Sequence, residues 1–210
     1  MVDIKHYIKI FFNEETGKER YSLISKEAEN IFRDNSIEKC WEIATECYHN
    51  ELYYIQAFAV SITGFISYQH NEAFCFLKNI ASKNPSWQVQ EFLAMAFDNY
   101  CKDAEYERSL PTINEWLNDK NQNVRRAVTE GLRIWTKRPY FKDHSEEAIK
   151  ILSNLKTDES EYVRKSVGNA LKDISKTYPG LVKEELQQWV LDTGEIRQVY
   201  QLASKMMDKK

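Results

Sequence analysis

Three segments of the chain repeat one pattern of apolar residues, and two of the three also carry a pair of basic residues after the first valine. They begin at Val89, Val124 and Val163 and read Val-Gln-Glu-Phe-Leu-Ala-Met-Ala-Phe, Val-Arg-Arg-Ala-Val-Thr-Glu-Gly-Leu and Val-Arg-Lys-Ser-Val-Gly-Asn-Ala-Leu. In each segment apolar residues recur four and eight positions after the valine, and in the first two segments also three positions after it, where the third has Ser166. This spacing predicts a helix with one buried stripe. The valines are 35 and 39 residues apart, a period that is typical of solenoids built from stacked helix pairs.

The composition favours the same fold. The chain has 210 residues, of which 42% are hydrophobic, with only six glycines and four prolines, and segments that alternate strictly between apolar and polar residues are scarce. We therefore predict one all-α domain over residues 1–210, a single superhelical solenoid of HEAT-like antiparallel helix pairs with a concave basic groove. Residues 1–49 are expected to form N-terminal capping helices.

Several helix boundaries are expected from capping residues. Ser36 is a predicted N-cap for a helix over residues 37–48, and Asn50 for a helix that reaches Tyr68. Ser160 is a predicted N-cap for the helix that carries Val163. The boundaries between the repeats are thus expected at short polar turns.

Membrane, metal and cofactor functions are not indicated. The N-terminus has no basic region followed by an apolar run, and no stretch is long and apolar enough to span a membrane, so a cytoplasmic protein is expected. The four cysteines show neither Cys-x-x-Cys spacing nor nearby histidines, which argues against a zinc site. We assign no function to the four histidines and expect no cofactor.

Positive charge is concentrated in the clearest repeats. The net charge of the chain is −3, but residues 120–183 contain 14 Lys or Arg against 8 Asp or Glu. The predicted DNA-binding residues are Arg125, Arg126, Arg133, Arg164 and Lys165, because a periodic ladder of cations can follow a phosphate backbone. The alternative is structural pairing with the aspartates of a neighbouring repeat, Asp119 and Asp158, and the residues leave both interpretations open.

Acidic residues within these basic repeats suggest a reaction that develops positive charge. Trp87 and Glu91 are four residues apart, so a helix places an aromatic ring beside a carboxylate on one face. Glu130 and Asp173 belong to the two following repeats, and we name all three acids as catalytic candidates. An alkylated base is already cationic when it leaves, and a carboxylate can stabilise the oxocarbenium-like sugar. The alternative for each acid is an ion pair with an adjacent arginine.

At these residues the chain resembles the DNA alkylation repair family of HEAT-like repeat glycosylases, the AlkC and AlkD group. The most specific stretches are residues 87–98, 123–133 and 160–179. The resemblance implies excision of N3- or N7-alkylated bases from double-stranded DNA without a cofactor. It matches Trp87 and Glu91 to an AlkD-type tryptophan and acid. It matches Glu91, Glu130 and Asp173 to AlkC-type acids, with Trp135 as a second substrate-binding aromatic.

The chain also departs from the family pattern. Asn169 stands where the AlkD pattern has a tryptophan, and the run 132–139 replaces a typical AlkC sequence. A non-catalytic repeat protein that binds DNA structures therefore stays open as an alternative. The negative net charge and the general use of solenoid grooves for partner binding also leave a protein-interaction scaffold open. We expect a monomer with no obligate protein partner.

Overall fold

The computed structural model describes residues 3–13, 15 and 18–207, and the regular secondary structure of these residues is helical except for two strands of two residues each. The chain divides into two compact units, Met1–Ala104 and Glu105–Lys210. Each unit consists of paired helices, which confirms the prediction of an all-α fold built from HEAT-like pairs. In the described part of the chain, no helix is long and apolar enough to cross a membrane.

The first unit is organised around its fourth helix. Its helices are α1 (Ile4–Phe11), α2 (Tyr21–Asp34), α3 (Ile37–Tyr48), α4 (Tyr53–Ile66), α5 (Asn71–Asn79) and α6 (Trp87–Asp103). Two short antiparallel strands, β1 (Phe12–Asn13) and β2 (Lys18–Glu19), join α1 to α2. Helix α4 contacts α1, α2, α3, α5 and α6, and it is apolar on nearly all sides because a helix enclosed by neighbours has no solvent face.

The second unit is organised in the same way around α11. Its helices are α7 (Leu110–Leu117), α8 (Gln122–Gly131), α9 (Pro139–Asp143), α10 (Ser145–Ser153), α11 (Glu161–Ser175), α12 (Pro179–Gln187) and α13 (Gly194–Ser204). Helix α11 contacts α8, α10, α12 and α13. It approaches α13 closely at Gly168, where an added Cβ would lie 2.6 Å from the Cβ of Leu202.

One side-chain hydrogen bond recurs with the period of the repeat. In five helices the fourth residue is a Gln or Arg whose side chain donates to the carbonyl six residues earlier, over 2.7 to 2.9 Å. The donors are Gln56 in α4, Gln90 in α6, Arg125 in α8, Arg164 in α11 and Arg197 in α13. This bond ties each turn to the helix that follows it, and it extends the three sequence repeats to five structural ones.

The expected helix boundaries are confirmed in part. Ser36 caps α3, and its hydroxyl accepts from the backbone N–H of Lys39. Helix α4 begins later than expected, because the Asn50 side chain accepts from the Leu52 N–H in the preceding turn. Ser160 is the N-cap residue of α11 without a side-chain cap bond, since its hydroxyl bonds to Gln122 instead. Helix α5 has no counterpart among the predicted helices.

Candidate functional site

The second unit brings two of the predicted acids together through one arginine. Arg133 follows the end of α8, and its Nε lies 2.9 Å from Oδ2 of Asp173 on α11. The Nη1 atom of the same guanidinium lies 3.5 Å from Oε2 of Glu130. Glu130 and Asp173 thus lie on either side of one partly exposed cation. Each acid forms the ion pair with a nearby arginine that the sequence analysis gave as the alternative to catalysis.

Asp173 is held in its ionised form although it is buried. Burial opposes ionisation, but hydrogen bonds from Lys176 and Arg133 keep the pKa of its carboxyl below the ordinary value. Lys176 Nζ lies 2.6 Å from Oδ1. In turn, the hydrogen bond to Asp173 raises the pKa of Arg133. The Asp173 carboxylate is therefore a compensated anion at neutral pH.

Arg126 extends this charged cluster along α8. Its Nη2 lies 4.0 Å from Oε1 of Glu130, and its guanidinium carbon lies 4.2 Å from the ring centroid of Tyr162 on α11. A guanidinium at this distance makes a cation–π contact. The Arg126 side chain is almost fully buried. Its burial gives no support to the predicted contact with DNA, because little of the guanidinium is accessible to a phosphate.

Arg125 is a structural residue. It is buried, and each of its five N–H groups has an acceptor: two pair with the carboxylate of Asp158 at 2.7 and 2.8 Å, and one reaches Glu159 at 3.4 Å. The other two donate to the carbonyls of Asp119 and Lys120. The position of Arg125 favours the pairing interpretation over contact with DNA, because each of its N–H donors already has an acceptor within the protein.

Arg164 and Lys165 behave differently although they are adjacent. Arg164 donates through Nε to Gln198 and through Nη1 to the carbonyls of Asp158 and Glu159, so it repeats the structural role of Arg125. Lys165 is exposed and pairs with Glu161, one turn earlier on α11, at 2.8 Å. Of these two, only Lys165 presents its charge to solvent in a simple surface pair.

The position of Trp135 gives no support to the prediction that it contacts substrate. Its indole is fully buried, with its ring centroid 4.9 Å from that of Phe141, and its Nε1 has no hydrogen-bond partner among the residues that the structure describes. The preceding residue, Ile134, adopts a left-handed φ of 54°, where a β-branched residue is rare. With no ring face open, Trp135 belongs to the core.

The first unit contains a cavity of about 320 Å³ between α2 and α6. Its lining residues are Tyr21, Ser22 and Ser25 from α2 and Trp87, Gln88, Glu91, Phe92 and Met95 from α6. Trp87 and Glu91 lie one turn apart on α6, as their spacing predicts, and both line this cavity. Trp87 is 58% exposed, which leaves much of its indole accessible to a ligand.

The packing of α6 explains why these residues line the cavity. Val89, Leu93 and Phe97 are fully buried against the rest of the unit, and residues spaced by four on the opposite side of the helix face outward together. This places Glu91 one turn after Trp87 and one turn before Met95. The same spacing could have identified Met95 as a lining residue. Tyr21, Ser22 and Ser25 could not be found in this way, because they belong to α2, which is distant in sequence.

No metal is indicated at either location. Within the described ranges, no group of three or more His, Cys, Asp or Glu side chains is arranged to hold a metal ion. The chemistry available is that of carboxylates, aromatic rings and cations.

Comparison with known proteins places the chain among DNA repair proteins. A model of the DNA alkylation repair enzyme family matches residues 18–204. AlkD2 from Streptococcus mutans is 44% identical, with a TM-score of 0.91, and the match covers 98% of this chain and 100% of that one. The alkylpurine DNA glycosylase AlkC from Pseudomonas fluorescens, solved with DNA containing an abasic site analog, is 21% identical, with a TM-score of 0.52. That match covers 89% of this chain and 61% of AlkC, and at this identity it concerns the fold.

A second kind of relative matches only a shorter segment of the chain. The uncharacterized protein YhaZ from Bacillus subtilis (strain 168) is 42% identical over 89 residues, and the match spans 40% of this chain but only a quarter, 25%, of YhaZ. The family match, in contrast, extends from β2 to the end of α13. With most of its length matched in this way, the chain belongs to the DNA alkylation repair enzyme family.

Proposed function

We propose that the protein is a DNA N-glycosylase that excises N3- or N7-alkylated bases from duplex DNA, with the cavity between α2 and α6 as the site of the base. The observation that carries this proposal is the pairing of an exposed indole, Trp87, with the carboxylate of Glu91 on the wall of one cavity. Membership of the DNA alkylation repair enzyme family supports DNA as the partner, as does the fold shared with DNA-bound AlkC.

The chemistry follows from the charge of the substrate. An N3- or N7-alkylated base carries a positive charge before the glycosidic bond breaks, so it leaves as a neutral base without a proton donor. The sugar becomes oxocarbenium-like, and the Glu91 carboxylate would stabilise this positive charge and orient the attacking water. The indole of Trp87 would bind the cationic base through a cation–π contact.

Glu130 and Asp173 receive a different role in this proposal. Both carboxylates are neutralised by close cations, and a compensated anion adds little field at a reacting centre. We therefore propose that they position Arg133 and Lys176, whose partly exposed side chains could contact phosphates. Glu91 is the catalytic candidate in this proposal because it lines the cavity beside Trp87.

A second function is favoured by the same charged cluster. In this second function Glu130 and Asp173 serve only to hold Arg133 and Lys176 in place, and neither acid takes part in a reaction. The cations then bind DNA structures, and no base is excised. Such a protein would show salt-sensitive DNA binding, because neutralised phosphates release counterions, but it would generate no abasic sites.

Base release from N-methylated duplex DNA tests the proposal. Purified protein would be assayed for free 3-methyladenine, 7-methylguanine and 3-methylcytosine, with Glu91→Gln as the test variant. A matched control is Glu72→Gln, which changes an exposed carboxylate on α5. We expect Glu91→Gln to lower the rate by about 10²-fold or more and Glu72→Gln to leave it unchanged.

Each other outcome identifies an alternative. Full activity of Glu91→Gln would refute the assignment of Glu91. Salt-sensitive DNA binding with no base release would favour the non-catalytic DNA-binding protein. Absence of DNA affinity at low salt would favour the protein-interaction scaffold.

A further inference from the structure

We propose that Ile134 is a positioning residue, whose left-handed backbone holds the neighbouring Arg133 as a preformed clamp for one DNA phosphate. The inference assigns a role to the α8 turn, residues 132–135, which begins the run where the chain departs from a typical AlkC sequence. It rests on the part of the proposed function in which the second unit binds DNA, and it does not depend on base excision.

Ile134 adopts a backbone conformation that β-branched residues avoid. Its φ is 54° and its ψ is 55°, which is the left-handed region. There the Cβ of an L-residue crowds the following carbonyl, so glycine or asparagine normally occupies such a position after a helix. A strained residue persists only where its surroundings fix it, and such residues cluster at functional sites. The strain at Ile134 therefore points to a function for the α8 turn.

Two buried side chains and one hydrogen bond fix the α8 turn. Leu132, before Ile134, and Trp135, after it, are both fully buried. The Arg138 side chain donates from Nη2 to the carbonyl of Gly131 at 3.2 Å, which closes the loop. Ile134 itself is only half-buried. The chain thus reverses direction between two anchors, and the left-handed residue makes the reversal.

The same turn directs Arg133 towards two acids. Arg133 lies between the buried Leu132 and the strained Ile134, and its side chain is 43% exposed. Its Nε lies 2.9 Å from Oδ2 of Asp173, and its Nη1 lies 3.5 Å from Oε2 of Glu130. Among the residues that the structure describes, its Nη2 has no hydrogen-bond partner. The acids hold one side of the guanidinium, and the other side is open to an anion.

The chemistry of the open side defines the ligand. A guanidinium presents parallel N–H donors that match two oxygens of a phosphate. The cations Arg126, Arg133 and Lys176 outnumber the acids Glu130 and Asp173 in this cluster, so the cluster attracts an anion. A side chain that is already held in place loses little conformational entropy when it binds. DNA, the partner in the proposed function, supplies the phosphate.

Binding of an unmodified DNA duplex to the full-length protein tests the inference. Fluorescence anisotropy would give the affinity at several salt concentrations. The variants are Ile134→Pro, whose fixed φ excludes the left-handed region, Ile134→Asn, which tolerates that region, and Arg133→Ala, which removes the clamp. Circular dichroism would establish that each variant is folded.

We expect Arg133→Ala to reduce the slope of log K against log salt by about 1, and to weaken binding roughly eightfold at about 0.1 M salt. Ile134→Pro should cause the same loss, and the double variant should bind no more weakly than either single variant. Ile134→Asn should stay within about twofold of the unmodified protein. A purely structural role of Ile134 would leave the salt slope unchanged.

Thermal unfolding tests the strain separately. Ile134→Gly and Ile134→Ala both shorten the side chain, but only glycine enters the left-handed region freely. The glycine variant should therefore have the higher Tm, by roughly 2–8 °C, which is the reverse of the order at a helical position. If Ile134→Pro does not fold, one glycine inserted between Arg133 and Ile134 takes its place in the binding assay, because it separates the clamp from the strained residue.

Three results would overturn the inference: an unchanged salt slope in Arg133→Ala, an unchanged slope in folded Ile134→Pro or in the insertion variant, or a Tm of Ile134→Ala that equals or exceeds that of Ile134→Gly. Its failure is distinguishable from failure of the proposed function. The expected slopes without release of methylated bases would support the clamp and reject the glycosylase. Glu91-dependent base release with an unchanged slope in Ile134→Pro would do the reverse.

Discussion

Replacement of Arg125 by Met should strongly lower the free energy of unfolding. It should not change the salt dependence of DNA binding, which reports the number of phosphate contacts. Methionine keeps most of the length of the side chain but removes the guanidinium. The Asp158 carboxylate, whose side chain is only 5% exposed, would then lose its bidentate partner, and the carbonyls of Asp119 and Lys120 would lose a donor.

The expected cost can be estimated from the burial of the pair. Removing one partner of a buried ion pair costs about 3–5 kcal/mol, because the other charge is left uncompensated. For a chain of this size, about 1 kcal/mol corresponds to a change in Tm of roughly 2–4 °C, so Arg125→Met should lower the Tm by roughly 6–20 °C. Asp158→Asn should cost less, about 1–3 kcal/mol, because asparagine can still accept from Arg125 and from the Ser160 N–H.

Urea denaturation followed by circular dichroism would measure these differences at neutral pH. A double-mutant cycle with Arg125→Met and Asp158→Asn should give a coupling free energy of about 0.5–3 kcal/mol. Lys165→Ala is the matched control, since its exposed pair with Glu161 should contribute less than about 1 kcal/mol.

The salt dependence of DNA binding separates the structural role from a phosphate contact. A residue that contacts a phosphate reduces the slope of log K against log salt by about 1 when it is removed. We expect Arg125→Met to leave this slope unchanged in conditions where the variant is folded. An Arg125→Met protein that keeps the parent Tm and loses one unit of slope would refute the reasoning.

Three further predictions concern stability and reactivity. Gly64→Ala would place a Cβ 2.6 Å from a backbone atom of α6, so it should lower the free energy of unfolding by about 1–3 kcal/mol. At Gly180 an added Cβ would meet no described atom within 4 Å, so Gly180→Ala should stabilise α12 by about 0.5–1 kcal/mol. Denaturation midpoints that fail to shift in opposite directions for the two variants would contradict this. The folded-state pKa of Asp173 is lowered by hydrogen bonds that outweigh burial, so its stabilising contribution is present above the ordinary carboxyl pKa of about 4 and is lost as the pH falls through the folded value. Asp173→Asn should therefore flatten the loss of stability below about pH 4, and an unchanged acid profile would argue against the contribution. In thiol titration of the native protein the exposed Cys75 should react, while Cys47, whose pKa burial raises to about 12, should react only after unfolding.

The local features of the fold were largely predictable. Ser36 and the apolar spacing after it give α3 its observed bounds, because capping and helical periodicity depend on residues within one or two turns. Helix α5 was missed, since its N-cap is His70, whose ring nitrogen accepts from the Ala73 N–H, and histidine is not among the usual capping residues. The sequence did not reveal that the hydrogen bond from helix to preceding turn occurs five times. In two of the five helices the donor is a glutamine, Gln56 or Gln90, at the position where the other three have arginine.

The candidate site was predictable only where one helix supplies it. The i, i+4 spacing of Trp87 and Glu91 predicts a common face, and α6 provides it. Tyr21 lies on another helix, and no pattern within either segment indicates that α2 and α6 enclose a cavity. Trp135 shows the opposite error, because an aromatic residue in a basic repeat is equally compatible with a core position and a binding position.

The sequence by itself determined the all-α repeat architecture and the face that carries Trp87 and Glu91, because both follow from the spacing of side chains along single helices. The family was indicated by the resemblance of residues 87–98, 123–133 and 160–179 to its members. Only the tertiary structure decided which charges are available for function. Arg125 and Arg164 turn inward to carbonyls six residues earlier and to partners 33 and 34 residues later. Lys165, one residue beyond Arg164, faces solvent. Whether a cation meets a phosphate or a buried carboxylate depends on the position of the next helix pair, and a repeat motif contains no local signal for that position.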